Sequence, residues 1–130
     1  MREIKFRAWN KEEKEFIYYN SLRDIAENWL FGFEEMDELV WKQYTGLKTT
    51  NGKEIYEGDI VMHGISDTDK GQIIFGEYAN PWGGDEFTKH MGFYVEWFNN
   101  TTRKDLGFWV RKEMEFEVIG NIYENPELLK

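Results

Sequence analysis

A chain of 130 residues with no cysteine folds without disulfides and has no thiolate for catalysis or for holding zinc or an iron–sulfur cluster. Sixteen Lys and Arg against 25 Asp and Glu give a net charge of −9, most of it in residues 51–130, where 8 basic groups face 15 acidic ones. Nucleic-acid and anionic-membrane binders draw much of their affinity from basic stripes, so this balance weighs against both classes.

The N-terminus alternates, Arg2-Glu3-Ile4-Lys5-Phe6, where a signal peptide needs a continuous apolar stretch, and no run approaches the roughly 18 apolar residues of a membrane span. The expectation is a cytoplasmic protein with no membrane partner. Six Trp, seven Tyr and ten Phe make up 18% of the chain, enough large apolar surface to drive folding despite a mean hydropathy of −0.70. Most of these rings are expected in the core.

Ile4-Lys5-Phe6-Arg7-Ala8 alternates with the period of a half-buried strand, Asn10 to Lys14 is a polar turn, and Phe16-Ile17-Tyr18-Tyr19 is a second strand, which together predict a hairpin. Leu22, Ile25, Ala26, Trp29 and Leu30 then mark one face of a helix, with Ser21 as N-cap, Asp24 in the first turn and Gly32 to end it. This helix is expected to cover a face of the N-terminal sheet. Residues 33–38 are an acidic connector.

Residues 39–44 are a predicted strand. The turn-forming run Thr45-Gly46-Leu47-Lys48-Thr49-Thr50-Asn51-Gly52 ends in Asn-Gly, the strongest short turn signal, and a boundary between two parts is placed there. Short strands are predicted at 59–63, 72–75, 93–98, 108–111 and 117–123, a spacing that suggests a small antiparallel barrel or sandwich. Gly120 inside the last of these predicts a bulge or sharp bend. Asn125-Pro126 opens a one-turn helix, with Asn125 as cap.

Three blocks resemble a known family. They are Met1 to Trp9 (MREIKFRAW), the segments Gln43 to Lys48 and Asn51 to Val61 (QYTGLK and NGKEIYEGDIV), and Glu117 to Leu129 (EVIGNIYENPELL). In this order, and across nearly the whole chain, they are similar to the YopX family of small phage and prophage proteins. The resemblance implies an α+β, β-rich fold: an N-terminal α+β part over residues 1–50 and a C-terminal SH3-like antiparallel β-barrel over 51–130. It brings no established activity with it. Its recurring residues are glycines, a turn and core aliphatics, and residues 10–40 and 77–106 lie outside the pattern.

Catalytic and metal signatures are weak. His63 and His90 are not in HxH, HxxxH or HExxH spacing, and Asp67-Thr68-Asp69-Lys70-Gly71 lacks the twelfth-position glutamate of a calcium loop, which is Tyr78 here. That stretch reads as a polar hairpin turn. No phosphate-cradling glycine loop or nucleophile elbow occurs, and Gly83-Gly84 has no helix after it. The sequence therefore predicts no catalytic residues, no metal and no cofactor.

The segment 77–91 joins two predicted strands, is longer than hairpin loops usually are, and carries Tyr78, Trp82, Phe87 and Met91, residue types enriched at interfaces. These four are the candidate partner-binding residues; the competing reading is that they fold back over the barrel end. The leading expectation is a non-catalytic accessory protein whose partner is itself, as a homo-oligomer, or a host or phage protein. Two alternatives are a nucleic-acid-binding SH3-like module, supported by fold analogy alone, and a small hydrolase using carboxylates with His63 or His90.

Overall fold

A computed structural model describes residues 4–21, 23–24, 39–63, 66–79, 89–98, 103–111 and 115–129, without the side chains of 66–68. The N-terminal hairpin forms as its alternation predicts. β1 (Phe6–Asn10) pairs antiparallel with β2 (Glu15–Tyr19), with Trp9 opposite Phe16 and Arg7 opposite Tyr18. Asn10 closes the turn by accepting the Glu12 and Glu13 N–H groups on its side chain, and Lys14 takes the left-handed conformation at φ 55°. After the hairpin, Ser21 Oγ accepts the Asp24 N–H at 3.1 Å and an Asp24 carboxylate oxygen accepts the Asn20 N–H. This is the predicted cap, and Arg23 and Asp24 are helical. The rest of the predicted helix and the acidic connector lie outside the described residues.

β3 (Leu39–Lys48) pairs with the other side of β1 and then with β4 (Glu54–Tyr56), giving a sheet ordered β2-β1-β3-β4. Residues 45–48, expected in the turn, belong to the strand. The chain accommodates Gly46 at φ +88° as a register shift between Tyr44 and Lys48, and the reversal itself falls at Thr49 to Gly52. Thr45 Oγ1 donates to the Ile55 carbonyl across this irregularity.

A second antiparallel sheet is ordered β7-β6-β5-β8, from β5 (Asp59–His63), β6 (Ser66–Tyr78), β7 (His90–Trp97) and β8 (Glu117–Asn121). Residues 67–70 lie within β6 rather than in a hairpin turn. Asp69 is buried there and Lys70 beside it is half-buried. Opposite Ile60 and Val61, β8 slips by one residue: Ile60 faces Gly120 and Val61 faces Val118. That is the bulge predicted at Gly120. The bulge also brings Asn125 and Leu128 against the glycine, where an added Cβ would lie 2.6 Å from Asn125 Oδ1 and 2.9 Å from Leu128 Cδ1.

Two local expectations are corrected. The strand predicted over 108–111 is replaced by a helical turn, α1 (Leu106–Trp109). Spacing of three residues puts Leu106 and Trp109 on one buried side, and the indole N–H groups of Trp97 and Trp109 both donate to the Arg103 carbonyl, at 2.9 and 2.8 Å. Two hydrogen-bonded indoles fix this segment as a turn despite its short apolar run. Residues 126–129 form the expected single turn, of 3₁₀ type, but the Asn125 side chain turns back to accept the Asn121 N–H.

The core of the second sheet is Ile55, Val61, Ile73, Val95, Trp97, Leu106, Trp109 and Phe116. His63 lies inside this core, stacked on Trp109 with ring centres 4.6 Å apart and edge-on to Trp97 at 4.8 Å. The described residues thus make a β-rich molecule of two antiparallel sheets with little helix.

Candidate functional site

Two regions carry side chains that burial of the core does not account for: the outer end of the β6–β7 hairpin, and the junction of the two sheets.

β6 and β7 pair in strict register from Gly71 opposite Trp97 to Tyr78 opposite His90. Period-two alternation puts Ile73, Val95, Phe75, Phe93 and Met91 on one face. Ile73 and Val95 are fully buried, but the face continues past the core, so that Phe75 is 52% and Met91 69% exposed. The Phe75 and Phe93 rings meet edge-on at 5.0 Å. The opposite face is aromatic as well: Tyr78 stacks on Tyr94 at 5.1 Å and lies 5.3 Å from His90. The outer edge of β7 is occupied at Tyr94, bridged to Asp105, and at Val95, whose N–H donates to the Lys104 carbonyl. Among the described residues no strand lies beside that edge from Met91 to Phe93.

Of the predicted contact residues, Tyr78 and Met91 therefore fall on opposite faces of the hairpin, Tyr78 half-buried against aromatic rings and Met91 exposed. Trp82 and Phe87 lie outside the described residues. Phe75 was missed in the sequence because it stands in an ordinary strand pattern; nothing local says that its strand outruns the core.

At the junction, Arg7 on β1 reaches Asp59 at the start of β5, Nη2 donating to Oδ1 at 2.6 Å. The side chains are 6% and 3% exposed. Asp59 also accepts the Tyr56 N–H at 2.8 Å on its other oxygen, closing the turn in which Gly58 sits at φ +91°. The guanidinium is sandwiched between the Phe16 ring, 4.2 Å away, and the Tyr56 ring, 4.7 Å away. Beside it Trp9 stacks on Tyr123 at 5.4 Å, and Lys5 pairs with Glu54 at 2.6 Å. Burial pushes the Asp59 carboxyl above its ordinary range, opposed by Arg7 and the Tyr56 N–H, and burial pushes the Tyr56 phenol up to about 12.

A cleft of about 400 Å³ opens next to this pair. β4 and its approach supply Lys53, Glu54 and Tyr56; β8 and the turn after it supply Val118 to Asn121, Glu124 and Asn125; Arg7, Asp59 and Tyr18 complete the lining. Its acids are engaged: Asp59 with Arg7, Glu54 with Lys5, and Glu124 with the Asn121 amide at 2.7 Å. Arg7 Nε and the Tyr56 hydroxyl, by contrast, are buried with no hydrogen-bond partner among the described residues.

Neither histidine lines the cleft. His63 is 3% exposed in the aromatic core, where burial lowers its pKa and Asp69 partly restores it, and His90 opens β7. The described residues hold no cluster of three or more His, Asp or Glu arranged for a metal ion.

The family model described as YopX protein matches residues 5–130. The chain belongs to the YopX family. Apart from Tyr18, every residue lining the cleft falls in the three segments on which the sequence resemblance to YopX rests, whereas the outer end of the hairpin falls outside them. A crystal structure titled protein EF1440 from Enterococcus faecalis is similar over 100% of both chains, with a TM-score of 0.57 and 24% identity. That likeness concerns the fold. No curated protein matches the sequence.

Proposed function

We propose that this YopX-family chain is a non-catalytic phage or prophage accessory protein of the bacterial host cytoplasm that works through protein–protein contact, with the β6–β7 hairpin as the contact surface. Within this reading residues 51–130 are an SH3-like barrel and 1–50 a smaller α+β part. Support comes from the order of the four antiparallel strands in the second sheet and the capped helix start at Ser21. The observation that carries the functional reading is the apolar face of Phe75, Phe93 and Met91 continuing past the core beside an edge strand. A strand edge next to exposed apolar side chains is a template for another strand.

The partner is a second copy of this chain. Antiparallel pairing of two β7 edges about Gly92 is self-complementary, as a two-fold contact requires, and the Cβ position of Gly92 has nothing within 4 Å. Two such edges bring Phe75, Met91 and Phe93 of both copies together. Light scattering of the purified protein tests this up to ~100 μM, where a contact worth about 5.5 kcal/mol populates the dimer. A dimer is expected that Met91→Glu dissociates, with the melting temperature unchanged in dilute solution where both proteins are monomers, and that added salt strengthens, because each copy carries −9. A protein that stays monomeric throughout, in low and high salt, refutes self-association. The acidic balance of 51–130 gives a nucleic-acid partner no support.

A further inference from the structure

Two buried donors at the inter-sheet cleft lack acceptors among the described residues, and they belong to one stacked pair. Arg7 Nε has a proton it can only donate, and the Tyr56 hydroxyl donates as readily as it accepts. Both residues are at least nine-tenths buried, at 5% and 3% exposure, and both line the cleft. Leaving a buried donor without an acceptor is among the more costly arrangements in a folded protein, and native structures keep few of them. Rotating Arg7 away is not a way out: Asp59, Phe16 and Tyr56 hold its head group on three sides.

We propose that the cleft binds a carboxylate, with Arg7 and Tyr56 as its donors and Lys53 at the rim. The chemistry narrows the ligand class. Donors require an acceptor, which rules against an ammonium or guanidinium ligand. The engaged carboxylates of Asp59, Glu54 and Glu124 penalise a dianion such as phosphate more than a singly charged group. The shape fits the terminal carboxylate of an extended peptide. β8 is the last strand of its sheet, and four of its residues in succession, Val118 to Asn121, form one wall, a length of about 13 Å of strand. At the end of that wall the Asn121 N–H is already taken by Asn125, so a peptide strand added along β8 stops there, next to Arg7. This inference stands apart from the hairpin contact and shares no residue with it.

The experiment is a titration of the full-length protein followed by NMR, reading the Arg7 Nε–H and the amides of Val118 to Asn121, at constant ionic strength. The probes are acetate, acetamide, a tetrapeptide with a free C-terminal carboxylate and the same peptide amidated. Acetate is expected to shift these resonances, whereas acetamide, the neutral analogue, leaves them in place. The free-acid peptide is expected to bind at least tenfold more tightly than acetate, with amidation abolishing the gain. Tyr56→Phe keeps the ring stacked on Arg7 and removes only the hydroxyl, and is expected to weaken carboxylate binding about tenfold. Equal affinity for acetate and the free-acid peptide assigns the site to a small carboxylate. Shifts by acetate and acetamide alike, shifts by neither, or unchanged affinity in Tyr56→Phe overturn the proposal.

Discussion

The Arg7–Asp59 pair is the sharpest point at which to test how the two sheets are joined. The partners are 52 residues apart in sequence and meet at 2.6 Å with side chains 6% and 3% exposed. Removing one member of such a pair leaves the other charge buried and uncompensated, which costs about 3–5 kcal/mol. Arg7→Met fills similar space and strands the Asp59 carboxylate, with only the Tyr56 N–H left to it. Asp59→Asn keeps that N–H bond and strands the guanidinium between two rings. Each single substitution is therefore expected to destabilise by about 3–5 kcal/mol, and the double variant by about 2 kcal/mol less than the sum. With a urea dependence of about 2 kcal/mol per molar, a 4 kcal/mol loss moves the midpoint down by about 2 M at unchanged slope. Equilibrium urea unfolding of the four proteins of the cycle, followed by tryptophan fluorescence, provides the numbers. Single effects that add to within about 0.5 kcal/mol refute the coupling, and with it the view that this pair ties β1 to β5.

Gly120→Ala tests the bulge: the new methyl carbon lies within 3 Å of Asn125 and Leu128 atoms, so a loss of about 1–3 kcal/mol is expected by thermal or urea unfolding, and a neutral result means that the Pro126–Leu129 turn is not held against β8. His63 sets an acid limit on stability. Its pKa is lowered by burial between Trp97 and Trp109, so its contribution is fully present above the unfolded value near 6.5 and is lost as pH falls through the lower folded value. Melting temperatures measured downward from pH 8 are expected to fall below about pH 6.5 in the wild type and to fall less steeply in His63→Gln. Identical pH profiles for the two proteins count against a buried neutral imidazole.

Particular residues show where local reading succeeds. The first hairpin was legible because the alternation of Phe6, Arg7, Ala8 and Trp9, the turn residues at Asn10 and the return through Phe16 to Tyr19 all sit within 15 residues. Ser21 as a cap and Gly120 as a bulge were legible for the same reason, since each follows from the conformations its own backbone and side chain allow. The α1 turn was not. Phe108-Trp109-Val110 is a short apolar run of the kind a buried strand carries, and its outcome depends on the Arg103 carbonyl being shared by Trp97 from another element. The candidate site divides in the same way. Met91 was picked out by residue type and loop position, but its separation from Tyr78 onto the opposite face, and the exposure of Phe75, depend on where β6 and β7 outrun the core.

By itself, then, the sequence determined the β-rich class, the first hairpin with its turn, the Ser21 cap, the Gly120 bulge and the family, because these rest on periodicity, steric preference and contiguous motifs. Only the tertiary structure decided that Arg7 is buried against Asp59 rather than solvated, as a lone Arg in an alternating strand is expected to be, and that two donors are left without acceptors among the described residues beside a cleft. The physical reason is that burial and charge pairing are properties of the packed whole. An arginine's surroundings are set by whichever distant strand closes over it, and no pattern within one strand records that choice.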